Sequence, residues 1–422
     1  MMRTVALLFY LLMPVLTVLG ENRFPQPQFE SGYSMPAISV PAPRVASWEL
    51  LDVLVLGGAL SLAAWLILKK RSRRGVFLLT VFSLLYFGFW RKGCVCSIGG
   101  IQNVAAWLSG NEAVLPLSVA AFFILPLVFA LFFGRVFCAA VCPLGAIQEM
   151  MILFPKRLPR PVSLALGMVP VVYLGLAVLL AATGSAFIIC RHDPFVPIFR
   201  LGGELSVLLA GVFLLLVGIV VARPFCRFLC PYGVLLNWAS RLSKWHATIT
   251  PDECVKCRLC ERACPFDAIR VPVASLVSES RGIGVRRMKW LLLLLVFLTG
   301  IGLWTGSRLE GVLAPINSKV KLDQVLRSNH PAVEKKYALE LEAFRSGGRN
   351  PQVLRAEAEA VRRQFRVGGA CLGGFLGFVF GMSMVGVSIR RSRDAYEPDR
   401  GECLSCARCF RSCPKEQKRL KP

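Results

Sequence analysis

The sequence predicts an all-α polytopic membrane protein, with about seven spans after a signal peptide and a small cysteine-rich α+β module on the cytoplasmic side. Three observations predict it. Of 422 residues, 55% are hydrophobic, and they gather in long runs. A formal net charge of +25 is concentrated beside those runs. Sixteen cysteines recur at short, regular spacings. A basic excess flanking apolar spans reports membrane orientation and not a nucleic-acid face, so no nucleic-acid partner is expected and membrane lipid is.

The N-terminal residues 1–20 place Arg3 before an apolar run and turn polar at Glu21. They read as a signal peptide or, alternatively, an uncleaved first span. Residues 21–48, with five prolines, read as an extracytoplasmic extended segment. Apolar segments follow at about 50–68, 75–90, 113–133, 162–183, 203–222, 289–306 and 368–388, most near the roughly 20 residues that a bilayer requires. The second ends in Tyr86, Phe87, Phe89 and Trp90, which suits an interfacial belt.

The loop Lys69–Arg74 holds five basic residues, and Arg135, Lys156, Arg157 and Arg160 follow the 113–133 run. Residues 223–288 and the tail from Arg390 are also basic. Placing these four regions inside satisfies the positive-inside rule and gives a multi-pass protein of the inner (cytoplasmic) membrane with a cytoplasmic C-terminus. Residues 49–249 then form one membrane domain, 250–288 and 389–422 two cytoplasmic segments, and 307–367 an outer segment between the spans 289–306 and 368–388. In that outer segment Asn350-Pro351 reads as the cap and first turn of a helix, with a second helix around 331–345.

Two runs have the form Cys-x2-Cys-x2-Cys-x3-Cys-Pro. They are Cys254, Cys257, Cys260, Cys264, Pro265 and Cys403, Cys406, Cys409, Cys413, Pro414. Three thiolates at this spacing let one loop wrap a four-iron cubane, and the fourth, before proline, often ligates the other cluster of a pair. Zinc sites normally use two separated Cys-x2-Cys pairs, so two 4Fe-4S clusters in a ferredoxin-like α+β iron–sulfur module are expected. Two arrangements are open. Cys254, Cys257 and Cys260 join Cys413 while Cys403, Cys406 and Cys409 join Cys264, or each run keeps its own four.

Residues 134–148, GRVFCAAVCPLGAIQ, and 222–236, ARPFCRFLCPYGVLL, carry Arg, Phe, Cys, Cys, Pro and Gly at the same offsets. This duplication predicts equivalent places in a pseudo-symmetric membrane domain. Cys138, Cys142, Cys226 and Cys230 would then face one another and hold a third cluster, the alternative being structural turns with buried thiols.

At this point the chain resembles the polyferredoxin-like membrane proteins, which include the ferredoxin-type quinol dehydrogenase subunit of periplasmic nitrate reduction and the membrane regulator of nitrous oxide reductase. The likeness covers about 113–264 and 403–414. It implies electron transfer between a cytoplasmic or quinone donor and an extracytoplasmic redox protein, with a quinol dehydrogenase-like subunit as one form. Two departures stand out. No Ser/Asp-Gly-Ala-Thr/Ser flavin-attachment motif occurs, so no covalent FMN is expected, and two spans plus residues 307–367 separate the ferredoxin runs.

Cys94, Cys96, Cys190 and Cys371 remain, all at outer ends of spans in this topology. They read as a fourth, outer cluster with His192 or Asp193 as substitute ligands, as disulfide chemistry in an oxidising compartment, or as inert packing. Haem is not expected, because Cys-x-x-Cys-His is absent and His192, His246 and His330 lie on different segments. No nucleotide-binding glycine fingerprint occurs. The expected function is membrane-bound iron–sulfur electron transfer. The alternatives are a redox-sensing or maturation protein for a partner enzyme and a transmembrane thiol–disulfide conduit.

Overall fold

A computed structural model describes residues 46–93, 97–112, 114–249, 254–273, 280–328, 336–346, 350–389 and 393–420. The signal-peptide region, most of the 21–48 segment, Cys94, Cys96 and His330 lie outside the described residues. The described chain is mostly helical.

Four helices are long and apolar enough to cross a membrane. They are α1 (Ala46–Leu68), α6 (Arg160–Ala182), α11 (Arg281–Arg308) and α13 (Pro351–Ser388). Between α1 and α6 come α2 (Arg73–Ser83), α3 (Ser97–Leu108), α4 (Leu117–Phe133) and α5 (Pro143–Met150). After α6 come α7 (Leu205–Gly218), α8 (Pro224–Phe228), α9 (Pro231–Arg241) and α10 (Leu259–Ala263). Helices α4 and α7 are apolar but shorter than the four long ones. Helix α2 starts at Ser72, whose side chain accepts from the Gly75 amide, and continues as a π-turned stretch over Leu84–Trp90.

Helix α3 lies between the apolar segments 75–90 and 113–133, where no span was expected. It is largely buried and packs against α4 and α6. Gly99 and Gly100 permit this, because a Cβ would come 2.9 Å from Cys190 Sγ at the first and 3.2 Å from Phe123 Cβ at the second.

Helices α11 and α13 pack through glycine. A Cβ on Gly302 or Gly306 would strike the backbone of Gly373 or Gly369, and one on Gly377 would strike Leu298. Partner numbers rise on one helix as they fall on the other, so the pair is antiparallel. Helix α13 also merges two expected elements, the outer-segment helix and the last span, into 38 residues. No proline interrupts residues 352–388, and Ala, Glu, Arg and Leu favour helix through the polar half. Its start is as expected, with Asn350 Oδ1 accepting from the Gln352 amide at 2.8 Å and Pro351 in the first turn. The outer segment supplies α12 (Ser318–Arg327), whose buried Asp323 bridges Arg327 at 3.0 Å and Arg362 of α13 at 2.9 Å. A further helix spans Ala338–Ser346.

The antiparallel pair returns the chain to its starting side. There β1 (Ile269–Arg270) pairs with β2 (Glu397–Pro398), with Ile269 opposite Pro398, and a further bridge joins Val273 to Arg393. Two short helices complete the tail, α14 (Arg408–Ser412) and α15 (Pro414–Leu420). The tail does not hang free, for Leu404, Cys406 and Phe410 share one buried cluster with Ile67, Phe137 and Tyr232 of the membrane domain.

Candidate iron–sulfur centres

The two ferredoxin-type runs adopt the same backbone. The residue before the second cysteine is left-handed in each, Lys256 at φ 52° and Ser405 at φ 52°. So is the residue after it, Arg258 at φ 62° and Ala407 at φ 62°. None is glycine, and a left-handed non-glycine residue costs on the order of 1–3 kcal/mol. These two left-handed residues bend each loop on either side of its second cysteine. The third cysteine then lies in α10 or α14, two short helices packed on each other.

The thiols group across the runs. Cys403 and Cys406 interact electrostatically with Cys264, and Cys409 interacts with all three and also with Cys260. Cys264, Cys403, Cys406 and Cys409 line one pocket with Phe266 and Leu404. Cys260 interacts with Cys254, Cys257 and Cys413. Burial pushes the Cys403 thiol up to about 12 and the Cys260 thiol up to about 11. Metal loading at such thiols must displace protons.

The Cys-x3-Cys-Pro copies are also built alike. Cys142 and Cys230 are the residues capping α5 and α9, with Pro143 and Pro231 in the first helical position. Cys230 Sγ accepts from the Gly233 amide at 3.3 Å. Cys138 lies in a π-turned stretch, Phe137–Val141, and Cys226 in α8. Cys230 faces the thiols Cys226, Cys142 and Cys138 across the two copies. Burial pushes Cys226 up to about 11.

Residues between the thiols carry the buried charge, and sequence reading gave them no role beyond the repeat. Arg223 Nε donates to Glu149 Oε2 at 3.0 Å with neither side chain exposed. Glu149 Oε1 also pairs with Arg73 at 2.6 Å and Arg408 at 2.7 Å. Burial alone would raise the Glu149 carboxyl, but Arg223, Arg408 and Arg73 bring it down to about 2. Arg135, the repeat equivalent of Arg223, is buried and donates to the Gly401 carbonyl at 3.2 Å, with Cys138 Sγ 3.8 Å from Nη2. The repeat glycines make room for these arginines. A Cβ on Gly145 would sit 3.2 Å from Arg223 Nη1, and one on Gly233 3.4 Å from Arg135 Nη2. Each copy's glycine thus receives the other copy's arginine. Gln148 adds a donor to Cys226 Sγ at 3.3 Å and accepts from the Phe225 amide at 3.0 Å. The arginine at a fixed offset in both copies was the available signal.

Of the remaining four cysteines, Cys190 and Cys371 are among the described residues. Cys190 is exposed at the short helix Ile188–Arg191, its Sγ against Gly99, while Gln102 Oε1 accepts from the Ile189 and Cys190 amides at 2.9 and 3.4 Å. Cys371 is exposed on α13. His192 Nδ1 lies 3.0 Å from the Ile188 carbonyl. Asp193 is buried, accepts from the Phe195 amide at 2.9 Å, and is raised by burial to about 6. The Tyr173 hydroxyl donates to the Ile188 carbonyl at 3.5 Å.

Among the described residues, no three His, Cys, Asp or Glu side chains converge tightly enough for a single metal ion. A cubane has different needs, because it stands between its four thiolates and holds them further apart than ligands around one zinc at ~2.3 Å. A donor set made wholly of sulfur, set around a pocket with apolar walls, fits an iron–sulfur cluster.

Comparison with known proteins agrees with that chemistry. A family described as a 4Fe-4S binding domain matches residues 115–161 and 204–249, the two repeat copies, and a second of the same description matches 247–270. An uncharacterized protein of Methanocaldococcus jannaschii is 32% identical over 191 residues, 43% of this chain and 77% of that protein. YccM of Escherichia coli, a proposed electron transport protein, is 27% identical over 43% of this chain and 54% of its own length. The regulatory protein NosR of Pseudomonas aeruginosa is 28% identical over 48% of this chain and 30% of its own length. The chain thus spans about half of YccM and less than a third of NosR. No solved structure matches. By motif, donor set and relatives together, the chain belongs to the polyferredoxin-like 4Fe-4S proteins related to NosR, NirI and YccM.

Proposed function

We propose that this protein passes electrons across or along the membrane, between a cytoplasmic or quinone donor and an extracytoplasmic redox partner. Cys254, Cys257, Cys260 and Cys413 would hold one cluster, Cys403, Cys406, Cys409 and Cys264 a second, and Cys138, Cys142, Cys226 and Cys230 a third. When bound, such clusters exchange single electrons at potentials set by charge, hydrogen bonding and burial. The protein contributes the thiols, the left-handed loops that orient them, and the arginines that oppose their charge.

One observation carries the reading. Cys403, Cys406 and Cys409 share a pocket with Cys264, Cys260 faces Cys254, Cys257 and Cys413, and Cys230 faces Cys226, Cys142 and Cys138, which supports a division into three sets, with Arg223 facing thiols of the last set and Cys406. Seven spans are part of the proposal, with the composite α2 stretch and the shorter α4 and α7 as three of them. So are a cleaved signal peptide and the cytoplasmic placement of both ferredoxin segments, which the basic loops support. A role for Cys94, Cys96, Cys190 and Cys371 in an outer centre extends the path.

Anaerobic purification with iron and acid-labile sulfide analysis tests this. About twelve iron atoms per chain are expected for three four-iron clusters, and about sixteen with an outer centre. About eight leaves only the ferredoxin runs, and zinc in place of iron overturns the reading. The relatives named as regulators support a second reading, in which the same centres sense redox state or serve a partner's maturation. Reoxidation of the dithionite-reduced protein by a quinone analogue in membranes separates the two, since a sensor need not turn over.

A further inference from the structure

Arg223 touches both copies of the repeat and lies beside parts of both ferredoxin-type runs. Its guanidinium donates to the Cys138 and Ala139 carbonyls, in the other copy of the repeat. It lies over the Phe266 ring at 5.8 Å, two residues beyond Cys264. It interacts with Cys226 and Cys138 of one thiol group and with Cys406 of another. Its carboxylate partner Glu149 holds Arg408, next to Cys409, and Arg73, which donates to the Cys406 carbonyl at 3.0 Å. The side chain is fully buried, so water does not screen its charge.

A fully buried cation is costly to place, and packing alone would be served by an apolar residue of similar volume. Four thiolates on each side supply the negative charge that this cation opposes, and every electron added to either centre strengthens that attraction. Arg135, the repeat equivalent, is buried against the same two groups, at the Gly401 carbonyl and Cys138 and facing Cys226 and Cys403, and Arg223 differs from it in pairing with Glu149.

We propose that Arg223 is a positioning residue shared by two redox centres, Cys138/Cys142/Cys226/Cys230 and Cys264/Cys403/Cys406/Cys409, whose buried charge raises the reduction potential of both. This rests on the iron–sulfur reading above. It makes Glu149 the counterweight, lowering both potentials by partial neutralisation.

The test is a redox titration of the anaerobically purified full chain, followed by electron paramagnetic resonance, with iron and sulfide measured on each sample. In Arg223→Gln, iron content is expected to stay near the parent's. The two centres should become harder to reduce by tenfold or more in the reduction equilibrium, about 59 mV for one electron. Arg223→Lys should restore part of the shift, and Glu149→Gln should move the same two centres upward. The centre at Cys254, Cys257, Cys260 and Cys413 should move least. Arg366→Gln, on the outer segment where it pairs with Glu310, is the control. If Arg223→Gln does not accumulate, Arg408→Gln, expected downward, and Glu149→Gln carry the sign. Loaded variants with unmoved potentials, or arginine and glutamate variants that shift the same way, overturn the proposal. A parent protein without iron and sulfide overturns the reading beneath it and this proposal with it.

Discussion

Glu149 and Arg408 lie 259 residues apart in sequence and pair at 2.7 Å, with the Glu149 side chain fully buried. This pair, with Arg71–Glu416 at 2.7 Å, clamps the C-terminal cysteine run onto the membrane domain.

We predict that Glu149→Ala releases that clamp. It leaves Arg223 buried without its carboxylate, a loss on the order of 3–5 kcal/mol. A thermal melt in detergent should show a lower midpoint, and limited proteolysis should cleave the tail beyond Arg393 faster. A variant that melts and digests like the parent would show that the tail is held elsewhere.

Acid should act through the same carboxyl. Glu149 is depressed to about 2 from an ordinary 4.5, so its contribution is complete above pH ~4.5 and is lost as pH falls toward about 2. The shift corresponds to roughly 3 kcal/mol. Stability measured between pH 5 and pH 2.5 should fall more steeply in the parent than in Glu149→Gln, which has no proton to gain. Equal slopes would remove Glu149 as the source.

Crossed grouping of the thiols predicts which substitutions share a spectrum. Cys264→Ser and Cys403→Ser should each perturb the same centre, and the double variant should lose no more iron than either single one. Cys264→Ser with Cys260→Ser should perturb two centres. Mössbauer spectra of iron-57-enriched protein read this directly. The reverse pattern would mean that each run keeps its own four ligands.

Helix packing is expected to control cluster assembly at a distance. Gly373→Leu places a side chain against the Gly302 backbone, so α11 and α13 must part. The two ferredoxin segments are delivered by this pair. Iron is expected to fall to about four per chain, held at Cys138, Cys142, Cys226 and Cys230. Retention of about twelve would show that the β1–β2 pairing suffices without the glycine contact.

Several features were legible without a structure. The cysteine spacing specifies two loops able to wrap a metal cluster, and they share one backbone, left-handed at the same two positions. The repeat specifies its own symmetry, because Cys at the cap, Pro in the first turn and Gly three residues after the cap each answer a local steric demand. Other features were hidden. Helix α3 went unassigned, since only contact with Cys190 and Phe123 reveals why a side chain would not fit at Gly99 and Gly100. Glu149 reads as an ordinary helix residue, since its three arginine partners come from α2, the start of α8 and α14.

By itself, then, the sequence determined the membrane class, the cysteine motifs and the duplication, because hydropathy, ligand spacing and turn chemistry act over a few residues. Which thiols share a pocket, and which buried charge lies between them, was decided only by tertiary structure. That choice depends on glycines letting α11 and α13 approach closely enough to return the last cysteine run to the first. No stretch of sequence shorter than the whole excursion from Cys254 to Cys413 contains that information.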